Sequence, residues 1–410
     1  ICAVVGEVLP DGAMMIIGIG QSESRAVRKG EIKDASVAVD DIRRAIAEAE
    51  QSADVEIRNL YLGVTGSHLQ GMNNRGVHPI VSVDRDICED DIEDVVRNAK
   101  AVGLPMGHQA FHSIRQYFAV DGQEGIRNPM GMAGTRLEAD MHVIHGNLNR
   151  ILTSVRAVQS LNLEVEQVVF NGLASYLALL NQESRESGTL LIDIGAGSTE
   201  YIVCTDGVVR HSGVLAIGGD HVTNDIAYGL KVPLGRAEQL KIDFGSAVVS
   251  SENTGQTIGL TNDEAGMMPN KINREHLHQI ISARLEEVLQ ILENEMNRLG
   301  IMDYLRKGII ITGGVSKTKD LQRIAERVFQ LPVRIGVCPD IQGVHAVLEQ
   351  PEFSCGIGLV KFGAIQAQGN PRKSSLAAGF KNRVSRFFRK SELQEIDNDQ
   401  LIETSLNSPS

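Results

Sequence analysis

The sequence has too few cysteines for a disulfide framework and too little positive charge to favour nucleic acid. Its five cysteines, an odd number at wide spacings without a Cys-x-x-Cys pair, favour reduced thiols over disulfides or a zinc site. A net charge of −12 argues against a nucleic-acid partner, because phosphate neutralisation needs clustered Lys and Arg. No apolar run approaches the roughly 20 residues of a membrane span, and no signal peptide is visible. The composition therefore predicts a soluble, intracellular protein.

Several short catalytic motifs are also absent. The sequence contains no Gly-x-Ser-x-Gly, no His-Glu-x-x-His and no eight-residue P-loop. His108 and His112 have the four-residue spacing of helical metal ligands. Their segment has an extended pattern and no third ligand close in sequence, so we do not expect a metal site there.

The most informative stretch runs from Leu190 to Tyr201 and reads Leu-Leu-Ile-Asp-Ile-Gly-Ala-Gly-Ser-Thr-Glu-Tyr. Its apolar start is typical of a central strand covered by helices on both faces. Asp193 stands at the end of that strand, where a carboxylate would hold a magnesium ion through water. The turn that follows offers backbone N–H groups and hydroxyls that could close around a phosphate: Gly195, Gly197, Ser198 and Thr199.

A second strand, rather than a helix, is predicted after that turn. Tyr201 to Cys204 is strand-like, and Asp206-Gly207 is a hairpin turn signal before the run from Val208 to Leu215. A dinucleotide-binding fingerprint would open a helix at this point. Gly-x-Gly alone is a weak signal, and a glycine turn without a ligand is the alternative. The order of strand, aspartate, glycine turn and strand nevertheless resembles the second phosphate motif of the actin and sugar-kinase superfamily.

The start of the chain repeats part of this pattern. Ile1 to Val5, Asp11-Gly12 and Met14 to Gly20 follow the order of the later hairpin at an offset of about two hundred residues, which predicts two related halves. This copy begins within its hairpin. We therefore expect an upstream strand and glycine turn before Ile1.

Further candidate nucleotide contacts lie beyond the hairpin. Gly218 and Gly219 precede a predicted helix start, where N–H groups could face a phosphate. Glu238 and Lys241, three residues apart on another predicted helix, could contact a nucleoside, although a solvated ion pair is the alternative. The apolar strand that starts at Gly308 ends in a second glycine turn, and in the superfamily such a turn lies under the adenosine. Its candidate residues are Gly313, Gly314 and Ser316.

These motifs together resemble the FtsA family of bacterial cell-division proteins. Thr65-Gly-Ser-His68 and Met130 to Glu138 look like the inserted subdomain of that family, and Thr223 to Ile226, Ala237 to Lys241 and Gly356 to Gly358 match as well. The resemblance implies an α/β, actin-like two-lobed ATPase fold with duplicated mixed-sheet cores and an inserted α+β subdomain. It also implies ATP and Mg²⁺ as ligands, with at most slow ATP hydrolysis. The chain departs from the family in lacking the first phosphate motif and in having a tail beyond the usual C-terminal helix.

The pattern divides the chain into successive regions. The first lobe comprises residues 1–57 and 147–187, interrupted by the inserted subdomain at 58–146. The second lobe comprises 188–222, a partner-binding subdomain at 223–300, and 301–365. A linker at 366–375, a membrane-binding helix at 376–390 and an acidic, disordered tail at 391–410 follow.

The family resemblance also implies partners. Ile280 to Glu287 resembles the helix that meets the acidic C-terminal peptide of FtsZ, so Arg284 and Glu287 are candidate partner-binding residues. A guanidinium fork suits carboxylates, whereas an ordinary solvent-facing arginine is the alternative. Self-association into filaments and contacts with other division proteins are implied as well.

The segment from Leu376 to Lys390 predicts a reversible membrane anchor. Its apolar side chains fall on one helical face, and its five positive charges come without an acid. Such a helix is too short to span a bilayer but suits an anionic membrane surface, whereas docking on protein is the alternative. The predicted contacts are Phe380, Lys381, Arg383, Val384, Arg386, Phe387, Phe388, Arg389 and Lys390.

Three functions remain open at this stage. The first is an actin-like ATP-binding adaptor that polymerises and tethers FtsZ to the cytoplasmic face of the cell membrane at the septum. The second is an actin-like scaffold of pilus assembly. The third, a sugar-kinase-like phosphotransferase, would need a substrate-side carboxylate base that we cannot assign.

Overall fold

The computed structural model describes residues 1–9, 13–81, 84, 86–250, 255–259, 271–338, 341–343 and 349–369. The predicted Asp11-Gly12 turn, the membrane-binding segment at 376–390 and the tail at 391–410 lie outside the described residues. The predicted linker at 366–375 lies partly outside them. Its first four residues belong to the last described helix, because Gln366, Ala367 and Gln368 favour helix.

The described chain forms eighteen strands and ten α-helices. The strands in order are β1 (Cys2–Val8), β2 (Met14–Gln21), β3 (Val27–Arg28), β4 (Glu31–Ile32), β5 (Asn59–Val64), β6 (Gln70–Pro79), β7 (His108–Val120), β8 (Gln123–Ile126), β9 (Arg136–Asn147), β10 (Glu164–Phe170), β11 (Thr189–Ile194), β12 (Thr199–Thr205), β13 (Val208–Leu215), β14 (Thr257–Gly259), β15 (Lys271–Asn273), β16 (Gly308–Thr312), β17 (Val333–Ile335) and β18 (Gln342–Gly343). The helices are α1 (Ala35–Ala53), α2 (Glu89–Lys100), α3 (Leu148–Gln159), α4 (Asn171–Leu179), α5 (Gln182–Ser187), α6 (Gly219–Leu230), α7 (Leu234–Phe244), α8 (Arg274–Arg298), α9 (Leu321–Phe329) and α10 (Ser354–Gly369).

The second lobe is built on a five-stranded mixed sheet in the order β13-β12-β11-β16-β17. β11 pairs antiparallel with β12 and parallel with β16, and every residue of both β11 and β16 is buried. Helix α8 contributes its apolar stripe to the core of this lobe, from Leu277 to Met296. Asn273 begins α8 by accepting hydrogen bonds from the backbone N–H groups of Glu275 and His276.

The first lobe contains the matching hairpin but divides its strands between two sheets. β1 and β2 pair antiparallel, as β12 and β13 do, while β5 pairs with β10 in parallel. Among the described residues, no strand joins the β1-β2-β18 sheet to the β5-β10 sheet. The position that β11 occupies in the second lobe therefore has no counterpart in the described part of the first lobe.

Helix α1 covers the β1-β2 hairpin with small residues. Ala38, Ala45 and Ala49 are fully buried, and a side chain at Gly20 would lie 2.0 Å from the carbonyl oxygen of Ala45. The helix thus packs close against β2. Asp34 is the N-cap residue, because its carboxylate accepts hydrogen bonds from the backbone N–H groups two and three residues later.

The inserted subdomain comprises β6, α2, β7, β8 and β9. Strand β5, which the predicted range 58–146 includes, instead pairs with β10 in the first lobe. The antiparallel sheet of the subdomain has the order β6-β9-β7-β8, and α2 packs against β6 and β9. Its core contains Val95, Val96, Phe118, Leu137 and Met141. Because β9 ends at Asn147, which caps α3, the chain passes directly back into the first lobe.

The chain crosses between the lobes through the short helix α5. Asn181 caps this helix, and Gly188 ends it with a φ of 89°. Within the described part of the chain, no helix is both long enough and apolar enough to cross a membrane.

Candidate nucleotide-binding site

The two predicted glycine turns meet at one edge of the second-lobe sheet. β11 and β16 are parallel neighbours, and Asp193 stands in register with Thr312. The turns that follow these strands therefore leave the sheet side by side. In open α/β sheets, ligands bind at the carboxyl ends of such strands.

The turn after β11 is held tightly closed. The backbone N–H of Gly195 donates to the carbonyl of Ser198 at 2.9 Å. A side chain at Gly197 would lie only 2.8 Å from the backbone nitrogen of Lys29, in the β3-β4 turn of the first lobe. The Thr199 hydroxyl donates to the carbonyl of Ile217 at 2.8 Å, so this predicted phosphate contact is engaged within the protein.

The glycine pair before α6 supports this turn. The N–H of Gly219 donates to the carbonyl of Gly195, and the N–H of Asp220 donates to the carbonyl of Ala196. A side chain at Gly218 would lie 2.5 Å from the Gly195 carbonyl oxygen. Two N–H groups at the start of α6 are thus bonded to the turn, and this contact joins helix to loop.

Asp193 is a buried carboxylate at this edge. It is 7% exposed, and its Oδ2 accepts a 2.6 Å hydrogen bond from the Ser175 hydroxyl on α4 of the first lobe. Burial raises the pKa of Asp193 to about 6, while the Ser175 hydrogen bond acts in the opposite direction. A cation beside this carboxyl would favour its ionised form. The environment therefore fits a carboxylate that holds a hydrated magnesium ion.

Glu200 is a second buried carboxylate, which the sequence reasoning missed. It stands opposite Asp193 in the β11-β12 register, and its Oε1 accepts from the Ser198 hydroxyl at 2.6 Å and from the Thr65 hydroxyl. Burial, reinforced by the charge of Asp193, raises the pKa of Glu200 to about 7. An acidic residue in an otherwise apolar strand is costly to bury, and this was the signal available in the sequence.

The contact between Thr65 and Glu200 crosses the cleft. Thr65 follows β5 of the first lobe, and Glu200 belongs to β12 of the second. The Thr65 hydroxyl also lies 3.3 Å from the Ser198 hydroxyl. The base of the cleft therefore joins both lobes through hydroxyl groups around one carboxylate.

The turn after β16 requires glycine at its first position. Gly313 has φ 83° and ψ 169°, and a side chain there would lie 2.4 Å from Oδ1 of Asp193. A side chain at Gly314, by contrast, would meet no atom within 4 Å of its Cβ. The buried Ser316 hydroxyl donates to the carbonyl of Gly313 at 2.7 Å and stabilises the turn.

Glu238 and Lys241 form a network with α6. Lys241 Nζ lies 2.6 Å from Glu238 Oε2 and donates to the Thr223 hydroxyl at 2.9 Å and to the Gly219 carbonyl at 3.3 Å. The Lys241 side chain is only 16% exposed, so the pair differs from a solvated surface ion pair. The network places both side chains beside the start of α6.

Arg284 lies on α8, away from the glycine turns. Its Nε donates to Oδ2 of Asp225 at 2.6 Å, its Nη2 donates to Oδ1 at 3.1 Å, and its Nη1 bonds to Glu287. Hydrogen bonding to Asp225 raises the pKa of Arg284. Its guanidinium, 26% exposed, is therefore held by two carboxylates at the surface of the second lobe.

The histidines of β7 have structural contacts. His112 is buried, and its Nε2 accepts from the backbone N–H of Phe170 at 3.0 Å. Nδ1 of His108 lies 3.1 Å from Nδ1 of His145. Among the residues that the structure describes, no group of three or more His, Cys, Asp or Glu side chains could hold a metal ion.

Comparisons with known proteins agree with this architecture. A family model described as cell division protein FtsA matches residues 190–358, and one described as the SHS2 domain inserted in FTSA matches residues 66–145. The chain is 38% identical to the cell division protein FtsA of Borreliella burgdorferi, over 94% of each chain. It is 36% identical to FtsA of Escherichia coli, over 88% of this chain and 87% of that protein.

A solved structure shows the same fold at lower similarity. The PilM-PilN type IV pilus biogenesis complex matches with a TM-score of 0.59 and 15% identity, and the match covers 88% of this chain and 94% of that chain. The architecture is an actin-like, two-lobed α/β fold with an inserted α+β subdomain, as the sequence predicted, and that subdomain is similar to the SHS2 domain inserted in FTSA. The chain belongs to the FtsA family of cell division proteins.

Proposed function

We propose that this protein binds ATP with magnesium between its lobes and acts as an adaptor that tethers FtsZ polymers to the cytoplasmic face of the cell membrane at the septum. The observation that carries the nucleotide proposal is the meeting of two glycine turns beside Asp193, at the carboxyl ends of β11 and β16. Thr65 and Ser175 bring the first lobe to the same edge. Any ATP hydrolysis is slow in this proposal, and the protein acts mainly as a nucleotide-binding scaffold.

The phosphates would lie against the turn that follows β11. Gly195 and Gly197 let the backbone approach them closely, and the Ser198 hydroxyl can turn from Glu200 towards a phosphate oxygen. Asp193 would hold the magnesium ion through water, and the ion would supply positive charge to the phosphate oxygens. Gly218 and Gly219 would act by holding the turn in place.

The nucleoside would lie between the second glycine turn and α7. Gly313, Gly314 and Ser316 form one side of this proposed site. Glu238 and Lys241 form the other, since their shared network with Thr223 places them beside the start of α6. Polar groups held in this way are suited to orienting a nucleoside at low entropic cost.

Substitution of Asp193 by Asn tests the nucleotide site. The amide can still accept from Ser175, but it cannot supply negative charge to a hydrated cation. We expect Mg²⁺ to strengthen binding of the ATP analogue AMPPNP to the wild-type protein, as measured by calorimetry. In Asp193→Asn, this gain in affinity should be smaller by roughly tenfold or more. The exposed Asp303→Asn serves as control. Equal Mg²⁺ dependence in all three proteins would refute the assignment.

For FtsZ, we propose that Arg284 and Glu287 lie in the peptide-binding surface. Arg284 is paired in advance with Asp225 and Glu287, so an acidic peptide would exchange one carboxylate for another without burying a new charge. The guanidinium fork suits such an exchange because it can bind a carboxylate through two parallel hydrogen bonds. The likeness to the PilM-PilN complex supports the fold alone, and no observation favours a role in pilus assembly.

The proposed membrane anchor rests on the sequence of residues 376–390. Its aromatic face and five positive charges suit an anionic lipid surface. Filament formation by this protein, which is part of the same proposal, would multiply many weak anchors into firm attachment. The anchor and the FtsZ-binding surface would then connect polymer and membrane.

A further inference from the structure

The inserted subdomain is bonded to an edge of the second lobe. One edge of β13 pairs with β12, and the register shifts there from His211 opposite Val203 to Val209 opposite Cys204. This β-bulge leaves Arg210 without a partner in the ladder. The carbonyl of Val209 accepts from Gln116 Nε2 at 2.6 Å, and the carbonyl of Arg210 accepts from an amide at 2.9 Å. The donor to Arg210 is the side-chain amide of Asn73 in β6, so the carbonyls of the bulge accept hydrogen bonds from two side chains of the inserted subdomain.

A buried histidine extends this interface. His142 of β9 is fully buried, and burial lowers its pKa to about 3, so its imidazole is neutral. Its Nδ1 donates to Oδ1 of Asn73 at 2.7 Å, and its Nε2 accepts from the Ser212 hydroxyl of β13 at 2.7 Å. There is no room for a side chain at Gly71 of β6, since its Cβ would lie 2.4 Å from the Ser212 hydroxyl oxygen. The surfaces are therefore in direct contact.

The turn that begins β13 joins three parts of the molecule. The carbonyl of Asp206 accepts from the Tyr117 hydroxyl of the inserted subdomain at 2.6 Å. On its other side, the N–H of Gly207 donates at 3.0 Å to the carbonyl of Arg185, in α5 between the lobes. The guanidinium of Arg210 lies over the Tyr117 ring at 5.2 Å.

The inserted subdomain is also attached to the first lobe, in which its sequence is inserted. His112 of β7 accepts from the backbone N–H of Phe170, where β10 meets α4. Gln116 and Tyr117, on the same strand, bond to the second lobe. One strand of the inserted subdomain therefore spans from one lobe to the other.

We propose that the inserted subdomain is a mechanical tie between the lobes, and that β13 transmits movements of the phosphate turn to it. β13 runs from the Asp206 turn to Leu215, which pairs with Thr199 of the phosphate turn. Because the hydrogen bonds to β13 are short and directional, the inserted subdomain has to follow when this strand moves. A change at the nucleotide site thus reorients the inserted subdomain. The nucleotide part of this inference rests on the proposed function.

A test without nucleotide separates the tie from nucleotide binding. Gln116→Met removes the donor to Val209 while keeping a long side chain, and Tyr117→Phe removes the donor to Asp206. Hydrogen exchange of the full chain should then be about fivefold faster in β13 and in the phosphate turn for each bond removed. Ser113→Ala, on the same strand, removes a buried hydroxyl that has no hydrogen-bond partner and should leave both segments unchanged. Unchanged exchange in Gln116→Met and Tyr117→Phe would overturn the tie.

A variant that adds a methyl group tests the same interface independently. Gly71→Ala adds a methyl group 2.4 Å from the Ser212 hydroxyl and 2.7 Å from the Ser212 carbonyl oxygen, so it should push β6 away from β13. We expect faster exchange in β13 and the phosphate turn in this variant as well. If Gln116→Met does not fold, Gly71→Ala and Tyr117→Phe still decide the question.

A second measurement adds AMPPNP and Mg²⁺. In the wild-type protein, we expect slower exchange in the phosphate turn and in β7. In Tyr117→Phe, the turn should still respond while the response of β7 is reduced. An equal response of β7 in both proteins, or none in a wild-type protein whose turn responds, would overturn transmission. If the wild-type turn itself does not respond, nucleotide binding fails, and the exchange without nucleotide still decides whether the tie exists.

Discussion

Substitution by alanine should have very different effects on stability at the two adjacent glycines of the second turn. Gly313 has φ 83° and ψ 169°, a region that is essentially restricted to glycine and costs other residues about 1–3 kcal/mol. The Cβ of Gly313→Ala would lie 2.4 Å from Oδ1 of Asp193 and 2.5 Å from the carbonyl oxygen of Ile194. The backbone carbonyl cannot rotate away, and such overpacking typically costs about 1–3 kcal/mol more. We therefore expect the free energy of unfolding to fall by about 2–6 kcal/mol.

Gly314→Ala is the matched control. A Cβ at Gly314 meets no atom within 4 Å, and this residue begins a 3-10 turn without a positive φ. We expect its free energy of unfolding to change by no more than about 0.5 kcal/mol. Urea unfolding followed by far-UV circular dichroism suits a chain without tryptophan. Equal urea midpoints for the two variants would refute the reasoning about the Gly313 turn.

The remaining predictions concern partner binding, pH and the membrane. Arg284→Glu should abolish binding of the FtsZ C-terminal peptide in fluorescence anisotropy. Arg298 lies on the same helix and is 67% exposed, and Arg298→Glu should leave binding intact. Equal peptide affinities for the two variants would exclude Arg284. Burial lowers the pKa of His112 to about 3, so the unfolded chain takes up its proton near pH 6.5 while the folded protein does not, and stability is lost as pH falls below 6.5 by about 1.4 kcal/mol per pH unit. His112→Gln should reduce the slope measured below pH 6.5 in urea unfolding by about that amount, while the equally buried His142, whose pKa is also lowered to about 3, keeps its own contribution. An unchanged slope would contradict the assignment. Phe387→Glu combined with Phe388→Glu should release the protein from anionic liposomes in flotation without changing AMPPNP binding, and undiminished flotation would place the anchor elsewhere.

Local sequence patterns were sufficient to predict most of the strands and turns near the site. The apolar run before Asp193 is a fully buried strand, and the turn signal Asp206-Gly207 does join two strands of a hairpin. Both turn residues have positive φ, of 54° and 82°. Such features are set by near neighbours in the chain, because side-chain period and turn chemistry act over a few residues.

Local pattern was less reliable where two residues competed for one role. Serine is a common N-cap residue, but α1 is capped by the Asp34 carboxylate, which also accepts a hydrogen bond from the Ser36 hydroxyl. The fully buried apolar residues of that helix are alanines, because close packing on Gly20 of β2 leaves room only for small side chains.

The sequence by itself determined the order of strands and turns, the two glycine turns, the duplicated hairpin and the family to which the chain belongs. Only the tertiary structure decided which groups near those turns are already bonded within the protein, such as the Thr199 hydroxyl and the Gly219 N–H. It also decided that Thr65 meets Glu200, 135 residues further along the chain. Contacts of this kind depend on how whole elements pack, and burial sets their strength by removing water from both partners. For the same reason, the bonds between β13 and the inserted subdomain had no signature in the sequence.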